Sequence, residues 1–157
     1  MHPRAEEFAA EANRRYGFDV EVQEFEEGTK TAADAAAAIP CDVAQIASGL
    51  VFVADGDPVM VITSGANRVD EARLADAVGA GEVSMADPDT VREATGYSIG
   101  GVPPFCHEGD LPVFIDETLL AFDTVWAAAA TPDAVFPVDP ERLVELADAT
   151  PISVEGT

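Results

Sequence analysis

Leu50-Val51-Phe52-Val53-Ala54-Asp55-Gly56-Asp57-Pro58-Val59-Met60-Val61-Ile62 is the stretch that decides the fold. Two apolar, largely β-branched runs flank Asp55-Gly56-Asp57-Pro58, the composition of a tight turn between paired strands. A central antiparallel hairpin follows, and it excludes a purely parallel βαβ sheet. Working outward, Thr31 reads as the N-cap of an alanine-rich helix, TAADAAAAI, that Pro40 ends. Further upstream, Pro3 opens a helical pattern with Phe8, Ala12 and Tyr16 on one face, stopped by Gly17. Val20, Val22 and Phe25 form a short strand-like segment between the two helices.

Downstream of the hairpin, Asp70 caps EARLADAV, which Gly79 and Gly81 close. Asp87-Pro88 and Asp139-Pro140 repeat one device, a capping carboxylate followed by a proline at the first helical position. Gly96 ends the first of these helices. LPVFID, TVWAAA and AVFPVD are the remaining strand candidates. Strands and helices interleave without repeats or a linker, so the expected fold class is α+β. It is a single domain over residues 1–157 with a mixed, largely antiparallel, curled sheet or barrel flanked by helices. The 157-residue length suits one domain.

Composition constrains function. Thirty acidic residues against eight basic ones give a net charge of −22, while 48% of residues are apolar. That is a folded chain with a self-repelling surface, best suited to concentrated salt where the Debye length is about 3 Å at 1 M. The expected setting is the cytoplasm of a salt-accumulating halophilic archaeon. No apolar run reaches 18 residues, and the N-terminal stretch carries acids and arginines throughout, so neither a membrane span nor a signal peptide is expected. DNA and anionic lipid are disfavoured partners at this charge. Residues 1–78 hold six of the eight bases, namely Arg4, Arg14, Arg15, Lys30, Arg68 and Arg73. Most of these are expected to pair with neighbouring acids.

Cys106-His107 invites a nucleophile assignment, but sequence neighbours on an extended chain point apart. A small buried apolar cysteine is the favoured reading. Cys41, Cys106 and His107 lack zinc-ligand spacing, so no metal is expected. No nucleotide fingerprint is present, and no cofactor is expected. The segment Gly100-Gly101-Val102-Pro103-Pro104 is more informative. It joins a backbone that can approach a ligand closely to one held stiff, so bare N–H groups can be aimed at an oxygen. On physical grounds a plain connecting turn fits equally well.

With TAADAAAAI, QIASGLVFVADGDPVMVITSGANRVD, TGYSIGGVPPF and LPVFIDETLLAFDTVWAAAATPDAVFPVDPERL in this order, the chain resembles the YbaK family. This is the domain of free-standing aminoacyl-tRNA deacylases and of the editing insertion in bacterial prolyl-tRNA synthetases. The resemblance runs from Thr31 to Ala149. It implies a pocket for an amino acid esterified to the 3′ end of tRNA, with an aminoacyl-tRNA synthetase as a possible partner. It implies ester hydrolysis of mischarged tRNA, of the Cys- or Ala-tRNA(Pro) type, by water or a substrate group. Backbone donors of Gly100, Gly101 and Val102 would face the substrate carbonyl, with Pro103, Pro104, Lys30, Ser64, Gly65 and Arg68 around the substrate. The family's characteristic lysine falls on Ser48 here, which donates a hydrogen bond but brings no fixed charge. The alternative is a binding module that kept the pocket and lost the lysine-dependent step.

Overall fold

A computed structural model describes residues 3–24, 32–97, 102–107, 111–131 and 134–153. The hairpin is its spine. Strand β2 (Ile46–Ala54) pairs antiparallel along its length with β3 (Asp57–Ser64), from Ala47 opposite Ser64 to Ala54 opposite Asp57. Asp55 and Gly56 both take left-handed backbone angles, which is what a two-residue hairpin turn demands. The strand begins four residues before the apolar run that signals it, because Ile46 and Ala47 pair with a distant strand. That strand is β6 (Val125–Ala128), parallel to β2 through Ile46 opposite Trp126 and Ala47 opposite Ala127.

Among the described residues the sheet has eight strands. On the path from one end stand β1 (Gln23–Glu24), β7 (Ala134–Val138), β6, β2 and β3, followed by β5 (Val113–Asp116) and β8 (Thr150–Ile152). Strand β4 (Val83–Met85) lies off this path and pairs antiparallel with Phe52–Ala54 of β2. The sheet is therefore mixed and open, with the long antiparallel hairpin at its centre, as the α+β reading expects. Since β3 occupies one edge of β2 throughout, β6 and β4 must share the other. Ser48, Gly49 and Leu50 lie between them, at a fork where no third strand is paired among the described residues.

Helices cover both faces. On one, α1 (Pro3–Tyr16) inserts Ala5, Phe8 and Ala12. The same core takes Val91 of α4 (Pro88–Thr95), Leu143 and Leu146 of α5 (Pro140–Ala147), and Val51, Met60 and Ile62 of the hairpin. On the other face, α3 (Glu71–Val78) packs Leu74 and Ala75 on Phe52, Val59 and Val61. Helix α2 (Ala32–Ala38) covers Ile46 and Trp126 at the β2–β6 end.

The predicted caps are present. Asp70 accepts from the Arg73 amide at 3.0 Å, Asp87 from Thr90 at 2.7 Å and Asp139 from Glu141 at 2.8 Å. Gly79 and Gly96 end their helices in the left-handed region. Gly81 has a different role from the expected helix stop, since its amide donates to the Asp55 carboxylate and ties the hairpin turn to the strand before α4. The Val20–Phe25 segment is strand only at Gln23–Glu24. Val20 and Val22 pack instead on the core, and Phe25 lies outside the described residues, as does the cap residue Thr31.

Candidate active site

The glycine–proline loop and the central hairpin meet at Gly49. A Cβ built there would stand 2.8 Å from the carbonyl oxygen of Val102 and would collide with Cε of Met60. Absence of a side chain at Gly49 thus lets the loop backbone lie on β2 at the fork. Val102 to Cys106 are all buried, so the loop's second half is part of the core. Phe105 anchors it among Phe8, Tyr16, Phe18 and Phe136, at ring separations of 5.4 to 6.2 Å. Two hydrogen bonds brace its ends. The Tyr97 hydroxyl donates to the Cys106 carbonyl at 3.2 Å, and His107 Nε2 donates to the Pro103 carbonyl at 2.8 Å. Gly100 and Gly101, which carry the expected donors, lie outside the described residues, as does Lys30.

Ser48 is half-buried on the neighbouring position of β2, opposite Thr63. Side chains alternate along a strand. Gly49 and Val51 belong to the face packed on α1, while Ser48 shares the α3 face with Leu50 and Phe52. The structure therefore brings Ser48 and the loop together through adjacent backbone, with the serine side chain on the opposite face from Val102. Pro103 and Pro104 are buried with the loop.

Ser64 and Gly65 close the far end of β3. The Ser64 hydroxyl donates to the Ala44 carbonyl at 2.7 Å and accepts from the Ala66 amide, while the Gly65 amide donates to the Ile46 carbonyl at 2.8 Å. Both build the turn that precedes α3. Arg68 is exposed on that turn. Sequence reading overlooked the group that holds the turn in place, Asp116. It is 1% exposed at the end of β5. Its carboxylate accepts from the Ser64 amide at 3.0 Å, Asn67 Nδ2 at 2.9 Å, the Thr118 amide at 3.0 Å and, more weakly, the Thr63 hydroxyl at 3.4 Å. Ser48, Thr63 and Asp116 thus form one polar row across β2, β3 and β5. In a chain with thirty acidic residues no single carboxylate stands out, and only its place at the end of an apolar run marks this one.

The His107 imidazole is engaged by the Pro103 carbonyl. Cys106 is a free, buried thiol, and burial pushes it up to about 11, so it is protonated at neutral pH. Burial also depresses His107, opposed in part by its bond to Pro103. Loss of the thiolate removes the nucleophile. Among the described residues no three His, Cys, Asp or Glu side chains gather as metal ligands, and no helix is long and apolar enough to cross a membrane.

The mixed sheet thus forks at Gly49, and the buried stretch from Val102 to Cys106 is seated against that fork. The chain belongs to the aminoacyl-tRNA editing domain family, whose model matches residues 26–146. It is 32% identical over 126 residues to the uncharacterized protein YwhH of Bacillus subtilis, covering 80% of each chain. It is 34% identical over 92 residues to the proline–tRNA ligase of Nitratidesulfovibrio vulgaris, covering 59% of this chain and 16% of the ligase. The chain thus corresponds to a small part of that enzyme. A crystal structure described as a candidate trans-editing enzyme for prolyl-tRNA synthetase superposes with a TM-score of 0.94 at 36% identity, covering 100% of this chain and 99% of that one.

Proposed function

We propose that this protein is a free-standing editing hydrolase that cleaves the ester between a small, wrongly attached amino acid and the 3′-terminal adenosine of tRNA. The observation that carries the reading is the seat of Val102 on Gly49. A loop whose backbone is pinned at a fork in the sheet is preorganised, and preorganised N–H donors are what an ester-hydrolysing site needs.

In the proposed reaction a water oxygen bonds to the ester carbonyl carbon as the carbonyl electron pair moves onto its oxygen. Backbone N–H groups at Gly100, Gly101 and Val102 would hold that oxyanion, each worth roughly 3–4 kcal/mol. Collapse of the intermediate expels the ribose oxygen, which takes up a proton, and the free amino acid leaves. Water does the attacking, which agrees with a Cys106 thiol held in its protonated form. Ser48, on the other face of β2 from Val102, would offer a neutral hydrogen bond at the open edge of the fork where the family places an ammonium. Pro103 and Pro104 would stiffen the loop, and Lys30 or Arg68 would meet the tRNA phosphates. An aminoacyl-tRNA synthetase is the proposed partner, and the cytoplasm, where charged tRNA resides, the proposed place of action.

The test is deacylation of a panel of mischarged tRNAs, alanyl and cysteinyl tRNA(Pro) among them, in molar potassium chloride. Turnover of at least one supports the reading. Tight binding of aminoacyl-adenosine analogues without turnover on any of them replaces it with the binding module, which the serine at position 48 favours.

A further inference from the structure

Arg4 stands in the first turn of α1, where the helix dipole disfavours a cation. Its guanidinium serves a different helix. Nη2 donates to the carbonyl of Gly96 at 2.6 Å, at the C-terminus of α4, where the dipole favours positive charge. The same guanidinium lies 5.0 Å from the ring centroid of Tyr97, within cation–π range. Tyr97 in turn donates its hydroxyl to the Cys106 carbonyl. One chain of contacts therefore runs from α1 through Gly96 and Tyr97, at the start of the loop, to Cys106 near its end. Ala5, Phe8 and Ala12 fix α1 to the core, and Phe8 stacks on Phe105 of the loop at 5.4 Å. All of α1 lies before residue 26, outside the stretch that matches the editing-domain model.

We infer that Arg4 and Tyr97 are positioning residues that brace the two ends of the loop, at Gly96–Tyr97 and at Cys106, so that α1, which precedes the stretch matched by the editing-domain model, sets the seat of the candidate donor Val102. The kinetic half of this inference rests on the editing reading, and the conformational half does not. The cleft of about 330 Å³ between α1 and the loop is lined by Arg4, Arg15, Glu7 and Glu11. It carries as many carboxylates as guanidiniums and is a poor seat for phosphate. Arg15 is spent on Glu11 at 3.9 Å.

Amide hydrogen exchange across 97–107 is compared in the native protein, Arg4→Ala, Arg4→Lys and Tyr97→Phe. Arg4→Ala should speed exchange at Tyr97 and over 102–107 by about thirtyfold or more, the scale of one charge-assisted hydrogen bond and an exposed cation–π contact. Exchange in the β2–β3 hairpin should be unchanged. Arg4→Lys keeps the bond to Gly96 and should fall between, and Tyr97→Phe should speed exchange at Cys106 and His107. In parallel, kcat and KM are measured on alanyl-tRNA(Pro) and on a short aminoacyl-adenosine ester. Arg4→Ala should lower kcat about tenfold on both with KM unchanged. Exchange equal to that of the native protein overturns the brace. So does a defect confined to KM on full-length tRNA, which would make Arg4 a tRNA contact. If the native protein hydrolyses nothing, the editing reading fails while the exchange data still decide the brace.

Discussion

The carbonyl oxygen of Val102 stands 2.8 Å from the point where a Cβ on Gly49 would lie. The second obstruction at that point is the flexible end of Met60, but the Val102 carbonyl is backbone, at the head of the buried stretch Val102–Cys106. Side chains at the two positions are therefore not equivalent in cost.

Gly49→Ala should displace the loop and lower kcat by roughly 10²-fold, the effect of losing one oxyanion donor. Overpacking should also cost about 1–3 kcal/mol of stability. Adding Met60→Leu removes the flexible obstruction and leaves the rigid one, so the double variant should stay impaired. Steady-state kinetics with urea unfolding on both variants provides the check, and recovery in the double variant would refute the argument.

Asp116→Asn leaves the turn at Ser64–Asn67 with one acceptor oxygen where two served. The new amide also presents a donor to a ring of donors, namely the Ser64 and Thr118 amides and Asn67 Nδ2. A loss of about 3 kcal/mol is expected, as for hydrogen bonds to a charged group. Denaturant titration measures it, and an unmoved midpoint would mean that the carboxylate does not hold the turn.

Cys106→Ala should leave turnover within a few-fold, because the thiol is assigned to packing. A fall on the order of 10³ would restore a cysteine nucleophile. The substitution also has a signature in pH. Folding raises this thiol from 9.0 to about 11, so the stability it confers is complete below pH 9 and is lost as pH rises toward 11. Melting temperatures between pH 8 and 11 should therefore fall less steeply in Cys106→Ala. Tyr97, raised from 10.0 to about 12, supplies the alkaline loss that remains.

Ser48→Ala should cost about 0.5–1.5 kcal/mol, roughly 2- to 13-fold, mostly in substrate binding. Ser48→Lys is the more decisive substitution, since it puts an ammonium on the row that ends at the Asp116 carboxylate. Deacylation of alanyl or cysteinyl tRNA should hold or rise. Abolished activity with an intact fold would show that this chain uses the position differently from its relatives.

Local chemistry was legible and long-range recruitment was not. Asp70, Asp87 and Asp139 announce their helices because a capping carboxylate acts within one turn, reinforced at Asp87 and Asp139 by the proline that follows. The hairpin is legible for the same reason. Strands β4 and β8 escape because each has three residues and is strand only through its partner, Phe52–Ala54 in one case and Phe114–Asp116 in the other. The glycine–proline loop stands out by composition. Its seat on Gly49 does not, because the two are more than fifty residues apart in a chain with twelve glycines. Asp116 is hidden by the acidity of the whole sequence.

The fork in β2 also orders the events of folding. One side of the strand closes through a two-residue turn, and hairpins of this kind form within about 1–10 μs. The other side waits for the rung between Ile46 and Trp126, eighty positions apart, and distant contacts repay their loop-closure entropy only late. On a ribosome, β6 emerges after most of the chain has been made. The ground on which Ser48 and Gly49 stand is thus completed near the end of synthesis, and a nascent or truncated chain would have the hairpin without the fork.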